Sequence, residues 1–245
     1  MYAHRATHGP VELAFTDRLG GVSAVPFDSL NLAWAGDDPV ALEENHRRLI
    51  ADFAPGDAVA ALSQVHGNEV AVVGPDGPSH ELHGHLHARA DGVVTHQPAV
   101  TLMVRGADCA PVLFADPEAR VLGAAHCGRP GLAKGVVPAT VARMRELGAR
   151  EITAWLGPHV CGRCYEVPQE LQDDVAQTAP DSRATTSWGT PSIDLGAGIR
   201  AQLATEGVEC VDVSRCTRES ADLYSYRRDH LDSGRQAGII RMAAR

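Results

Sequence analysis

Short apolar runs crowd the middle of the chain. VELAFTDR (11–18), ADGVVT (90–95), AVTLMV (99–104), APVLFAD (110–116) and RVLGAAH (120–126) are rich in β-branched and aliphatic residues and too short for helices. They predict strands, as do EITAWLG, VECVDVS and QAGIIRM. DAVAALSQVHGNEVAVV (57–73) predicts two strands around a tight HGN turn, and LGGVS (19–23) a turn after the first strand. Asp38 followed by Pro39 supplies a helix N-cap and first position, with VALEENHRRLIADFA continuing the helix. GLAKGVVPATVARMREL predicts one further helix, begun or kinked at Pro138. VPQELQDDVAQTA predicts another with Pro168 near its start, and IDLGAGIRAQLATEG a last one, capped by Asp194 and ended by Gly207. Hairpin-like strands mixed with scattered helices, without steady βαβ alternation, point to an α+β fold rather than a doubly wound sheet. No repeat, linker composition or charge block divides residues 1–245, so one domain is expected.

Composition refines this. Hydrophobic residues make up 44% of the chain but aromatics only 4%, so the core must be built from small aliphatic side chains. A net charge of -9 argues against nucleic acid or an anionic membrane as a partner. MYAHRATHGP has no apolar signal region and no run is long enough to span a bilayer, so a cytoplasmic location is expected. Thiols stay reduced there, and the six cysteines are not expected to form a disulfide framework.

The chain lacks G-x-S-x-G, P-loop, H-E-x-x-H and G-x-G-x-x-G motifs. HELHGHLH places His80, His83, His85 and His87 in what reads as an exposed loop with adventitious metal affinity. Cys161 and Cys164 have the spacing of half a zinc knuckle, but no second C-x-x-C exists, so they read as small residues packed in a turn. Three other residues each end an apolar segment: His66 in SQVHGN, Cys109 in RGADCAPVLFAD and His126 in VLGAAHCG. Two imidazoles and a thiolate leave a fourth tetrahedral position open, the pattern of catalytic zinc. Spacing alone leaves other roles open, since a buried cysteine also serves as a small hydrophobe. Cys127 follows His126 directly; on a continuing strand the two side chains face opposite ways, which makes Cys127 a bystander.

TDRLGGVS, SLNL, QVHG, ADGVVT, ADCAPVLFAD, AAHCGRPGL, WLGP with YEV, RCT and YSYRRD follow one another in order. This succession, from Arg18 to about Arg228, resembles the laccase-domain family, also called the multicopper polyphenol oxidase or peptidoglycan editing factor family. The resemblance implies a zinc-binding active site at His66, Cys109 and His126. It implies phosphorolysis of inosine, guanosine, adenosine and methylthioadenosine, with adenosine deamination as a further activity and a role in peptidoglycan precursor editing. The older oxidase name implies copper. Layered mixed sheets flanked by helices, a monomer, and ligand-bearing strands converging on one cleft are expected. The partners implied are purine nucleosides and phosphate, not nucleic acid or membrane. Arg18, Asn31, Arg105 and Arg227, with Arg228 beside it, are the candidates for holding substrate or phosphate. The family's H-A-G-W-R-G stretch reads HCGRPG here, with Arg129 and Pro130 replacing Trp and Arg. The rival readings are a copper phenol oxidase, a metal-free hydrolase with Cys109 as nucleophile, and a binding module without catalysis.

Overall fold

Successive residues of a strand point to opposite sides of a sheet, and in most strands of this chain both sides are apolar. The computed structural model describes residues 1–74, 81–82 and 85–243, with the backbone alone for 81–82 and 85–88. In chain order the elements are β1 (Tyr2–His8), β2 (Val11–Thr16), α1 (Pro39–Phe53), β3 (Ala58–Leu62), β4 (Val70–Val73), β5 (Glu81–Leu82), β6 (His85–Ala88), β7 (Gly92–Thr95), β8 (Val100–Gly106), β9 (Ala110–Asp116) and β10 (Val121–Cys127). They continue with α2 (Arg129–Lys134), α3 (Val136–Glu146), β11 (Thr153–Leu156), α4 (Gln169–Ala176), β12 (Arg183–Thr185), β13 (Pro191–Ile193), α5 (Leu195–Thr205), β14 (Glu209–Asp212), α6 (Tyr226–Asp229) and β15 (Gln236–Met242).

Two mixed sheets stack on each other, one in the order β1-β2-β15-β8-β3-β6-β5 and the other β14-β11-β9-β10-β7-β4. The alternation along each strand builds three apolar layers. Leu13, Phe15, Leu102 and Val104 of the first sheet meet Leu113, Ala115, Leu122 and Ala124 of the second. The intervening residues face outwards. Ala14, Met103 and Ile239 pack with Leu49 and Phe53 of α1. On the far side, Val112, Phe114, Val121 and Ala125 pack with Val137, Val141 and Met144 of α3 and with Ile199 and Leu203 of α5. The fold is thus the expected layered α+β arrangement, with mixed sheets flanked by helices.

The N-caps behave as predicted: Asp38 accepts from Val40 N at 3.0 Å and Asp194 from Ala197 N at 2.8 Å. Three local readings need correction. The helix expected over GLAKGVVPATVARMREL is two helices, α2 and α3, because Gly135 adopts φ 78° and serves as the C-cap of one and the N-cap of the next. The strands of 57–73 do not form a hairpin: β3 lies in one sheet and β4 in the other, and 63–69 crosses between them. The histidine tract is not a plain loop. His85 and His87 belong to β6, which pairs in parallel with β3, while His80 and His83 lie outside the described residues. The edge strand β1 has no buried face, so no apolar run marks it in the sequence.

The crossings explain where a site forms. β3, β6 and β8 run parallel or share parallel neighbours, so their C-terminal ends lie at one end of the first sheet. From that end the chain passes to the second sheet three times, through 63–69, 89–91 and 107–109. β10 is antiparallel to β7 and β9, so it terminates where they begin. Four segments therefore converge at one end of the sandwich without any local sequence signal to announce it.

Candidate active site

His66, Cys109 and His126 lie on three of those four segments, and their ligand atoms fall within 4.8 Å of one another. Cys109 Sγ is 3.7 Å from His66 Nε2. The imidazoles of His66 and His126 meet edge to face, with ring centres 4.9 Å apart. His126 continues the face of Leu122 and Ala124, between the sheets, whereas Cys127 packs with Val121 and Ala125 beneath the helices. The adjacent pair is split by strand alternation, as expected.

Two buried aspartates that the sequence reading passed over build the turns. Asp91 ends the second crossing, just before β7, and is fully buried. Its carboxylate accepts the backbone N–H groups of Val65 at 3.1 Å, His66 at 2.9 Å and Gly67 at 2.6 Å. The same carboxylate lies 2.9 Å from His126 Nδ1, which leaves Nε2 of that ring for the cluster. Asp91 thus orients one imidazole and holds the backbone of the other. His66 needs that support, because its φ of 58° lies in the left-handed region that non-glycine residues avoid. Burial raises the Asp91 carboxyl, yet the His126 ring and the Gly67 and Val65 amides outweigh it and hold it below its ordinary value.

Asp108 does the equivalent for Cys109. Its φ is 88°. Its carboxylate accepts from Thr217 Oγ1 at 2.6 Å, Ser225 Oγ at 2.7 Å and Arg227 N at 2.6 Å. The aspartates of ADG and ADC, Thr217 of RCT and Ser225 of YSYRRD are thereby assigned to positioning. Gly128 closes the floor of the cluster: a Cβ there would stand 2.7 Å from Cys109 Sγ and 2.9 Å from His66 Cδ2.

Burial pushes the Cys109 thiol up, but His126 and His66 outweigh it and draw it down to about 6. Burial likewise disfavours the charged His126 ring, but Cys109 and Asp91 hold it up at about 9. The donor set, two imidazole nitrogens and a ready thiolate around a space bounded by Gly128, suits a zinc or copper ion with one position left for a ligand. The same atoms also form a cysteine–histidine–aspartate row.

The cluster opens into a cleft of about 1170 Å³ that includes Trp34, Arg105, Tyr165, Tyr226, Arg227 and Arg235 in its walls. Arg105 is buried against the face of Trp34, its guanidinium carbon 4.1 Å from the ring centre. Its Nη2 donates to Leu62 O at 2.8 Å, and its Nε has no hydrogen-bond partner among the described residues. Burial, with Arg235 nearby, lowers the Arg105 pKa to about 9. Neither arginine has a carboxylate ion-pair partner among the described residues, although both face the same cleft. Arg227 stacks on Tyr165 at 4.6 Å. Asn31 lines the cleft but works as a brace, donating to Asp37 and accepting from Ala33 N and Arg235 N.

Arg18 and Arg228 are elsewhere. Arg18 pairs with Asp28 and lies over Tyr224, outside the cleft walls. Arg228 is spent on Asp229 and on the carbonyls of Thr217, Ser220 and Leu223. Arg235 was missed, because nothing in SGRQAG distinguishes it from any surface arginine. Arg129 lies at the first position of α2; burial pushes the nearby Tyr165 phenol up, and Arg227 and Arg129 only partly offset it.

A Streptomyces griseus protein named a purine nucleoside phosphorylase is 50% identical over 238 residues, covering 95% of this chain and 94% of that protein. A Deinococcus radiodurans protein of the same name is 40% identical, covering 98% and 93%. Among solved structures, a Neisseria meningitidis protein superposes with a TM-score of 0.84 at 32% identity, covering 100% of this chain and 99% of that one. YlmD from Geobacillus stearothermophilus superposes with a TM-score of 0.85 at 28% identity, covering 99% of each. A family model described as multi-copper polyphenol oxidoreductase laccase matches residues 12–243, and the chain belongs to that family.

Proposed function

We propose that the chain is a purine nucleoside phosphorylase that binds zinc at His66, Cys109 and His126 and converts inosine, guanosine, adenosine or methylthioadenosine, with phosphate, to the free base and the ribose 1-phosphate (the methylthio sugar phosphate from methylthioadenosine). One observation carries the reading: the His66–Cys109–His126 cluster opens into the same cleft as two arginines, Arg105 and Arg235, that have no carboxylate ion-pair partner. Phosphorolysis joins a phosphate oxygen to the sugar's anomeric carbon as the bond to the purine nitrogen breaks. The base leaves with the bonding pair and takes up a proton. Guanidinium forks suit the phosphate dianion, and a cationic wall stabilises charge that develops on the departing base. Arg105 and Arg235 fill the first role and Arg227, held over Tyr165, the second. Bound zinc supplies a Lewis acid and an acidified water, the chemistry that adenosine deamination requires. Asp91 keeps His126 in one tautomer, and Asp108 fixes the Cys109 turn.

The cysteine–histidine–aspartate row supports one rival, a metal-free cysteine hydrolase. A multicopper oxidase needs several histidine centres, and among the described residues only one donor cluster contains histidine. The test incubates the zinc-loaded protein with inosine and phosphate and follows hypoxanthine and ribose 1-phosphate. Product that depends on phosphate and disappears with Cys109→Ala supports the reading. Hypoxanthine formed with free ribose and no need for phosphate favours the hydrolase.

A further inference from the structure

Behind the cleft wall lies a second donor cluster. Cys161, Cys164 and Cys216 bring their sulfurs, and Glu219 a carboxylate oxygen, within 4.8 Å of one another. All three cysteines are free thiols. The backbone is shaped around the sulfurs. Cys164 N and Tyr165 N both donate to Cys161 O, at 2.9 and 3.0 Å, folding the Cys-x-x-Cys stretch into a tight turn. A facing turn starts at Cys216, where Ser220 N donates to Cys216 O at 3.1 Å. Cys216 Sγ accepts the N–H of Cys161 at 3.5 Å and also a backbone N–H of Glu219. Burial and the neighbouring Cys161 thiol raise the Cys216 thiol in the metal-free cluster, and these amides only partly offset them.

We propose that Cys161, Cys164, Cys216 and Glu219 bind one zinc ion as a closed structural site, separate from the His66–Cys109–His126 cluster. A Cys-x-x-Cys turn facing a second cysteine turn is the architecture of a zinc knuckle, and tetrahedral zinc at about 2.3 Å from sulfur places its ligands about 3.8 Å apart, a spacing within the span of these atoms. Three thiolates favour zinc over the harder divalent ions. Three thiolates and a carboxylate around the ion leave net negative charge, and two arginines stand by it: Arg163 Nη2 is 3.9 Å from Glu219, and Arg218 Nη1 is 3.4 Å from Cys164 O. Four protein donors leave no open position, so the site is structural rather than catalytic.

Its place in the fold gives it a task. Tyr165, next to Cys164, lines the cleft. Thr217, next to Cys216, holds Asp108 and so the Cys109 turn. Zinc would staple the two segments that carry these residues, adding to the isolated bridge between His159 and Cys216 and to the Cys161–Cys216 and Arg218–Cys164 hydrogen bonds.

The experiment measures zinc in the full-length protein purified under reducing conditions, as wild type, Cys109→Ala and Cys164→Ser. Cys109→Ala is expected to keep one zinc equivalent. Cobalt loaded into the stripped Cys109→Ala protein should show thiolate-to-cobalt charge-transfer bands, and zinc should protect Cys161, Cys164 and Cys216 of that variant from iodoacetamide. Cys164→Ser is expected to hold one equivalent less than wild type; if it fails to fold, the Cys109→Ala measurements stand alone. A Cys109→Ala protein without zinc and without thiolate bands overturns the proposal, as does a disulfide within the trio in the reduced preparation. One equivalent in wild type, kept by Cys109→Ala and lost with Cys164→Ser, would support this site and count against zinc at the first.

Discussion

The two donor clusters differ in the way that separates working metal sites from structural ones. His66, Cys109 and His126 offer three ligands and face a cleft. Cys161, Cys164, Cys216 and Glu219 offer four, are dominated by sulfur, and sit in two tight turns. The first is held by buried carboxylates, Asp91 and Asp108, which accept backbone amides and aim side chains. The second is held largely by the amides of its own turns. A site that must admit substrate cannot close around its ion, so its geometry has to be imposed from outside the ligand set. A closed site imposes its own.

The largest expected effect separates the clusters by function. Cys109→Ala should cut phosphorolysis roughly a thousand-fold or more and leave thermal stability nearly intact. Cys164→Ser should lower the melting temperature by about 5–10 °C while costing activity only several-fold. Calorimetry alongside a hypoxanthine assay reads both, and a swap of the two outcomes would break the comparison. Next comes Asp91→Asn, expected to reduce metal affinity or turnover about 10- to 100-fold, because an amide cannot accept the Val65, His66 and Gly67 amides and orient His126 together. An unchanged metal dissociation constant and turnover would remove Asp91 from the positioning role.

Arg105→Met should raise the KM for phosphate about 10- to 100-fold, the value of one charge-assisted contact, with a smaller change in the KM for inosine. Equal changes in both would mean the arginine shapes the cleft rather than binding the anion. In metal-free protein the thiols should separate by pH. Burial raises both, but only Cys109 has imidazoles that bring it back down, to about 6, whereas neighbouring sulfurs leave Cys164 pushed up to about 12. Alkylation of Cys109 should therefore rise through about pH 6 and level off by about pH 8, while that of Cys164 keeps climbing. Cys109 reactivity that first appears above about pH 8 would contradict the thiolate assignment. The smallest effect belongs to Cys127→Ala: activity within about twofold of wild type and a loss of about 1 kcal/mol in chemical denaturation, as for trimming a buried small hydrophobe.

What the sequence makes legible follows a simple physical rule. Caps at Asp38 and Asp194 are local, and both form as read. Gly135 was legible as a glycine but not as a break, because its φ is set by how α2 and α3 pack, and a helix tolerates an interior glycine at modest cost. Asp91 and Asp108 look like any acidic residue beside a strand; only the folded chain shows that their oxygens gather amides from 24 to 119 residues away. Arg105 was read as an anion-binding candidate and does line the cleft, whereas Arg18 is drawn off by Asp28 and Arg235 stood unnoticed.

The sequence by itself determined most of the strands, the helix starts at Asp38 and Asp194 and the small-residue core, and singled out His66, Cys109 and His126, because residue chemistry and short-range periodicity encode them. It also implied that His126 and Cys127 part company, since alternation along a strand is local. The tertiary structure alone decided that the chain crosses between sheets three times at one end, bringing the first cluster together. It also brought Cys216 and Glu219 to a Cys-x-x-Cys turn that, read along the chain, lacked its other half. Donor clusters of this kind are made by long-range chain topology, and pairings across dozens of residues leave no trace in local spacing.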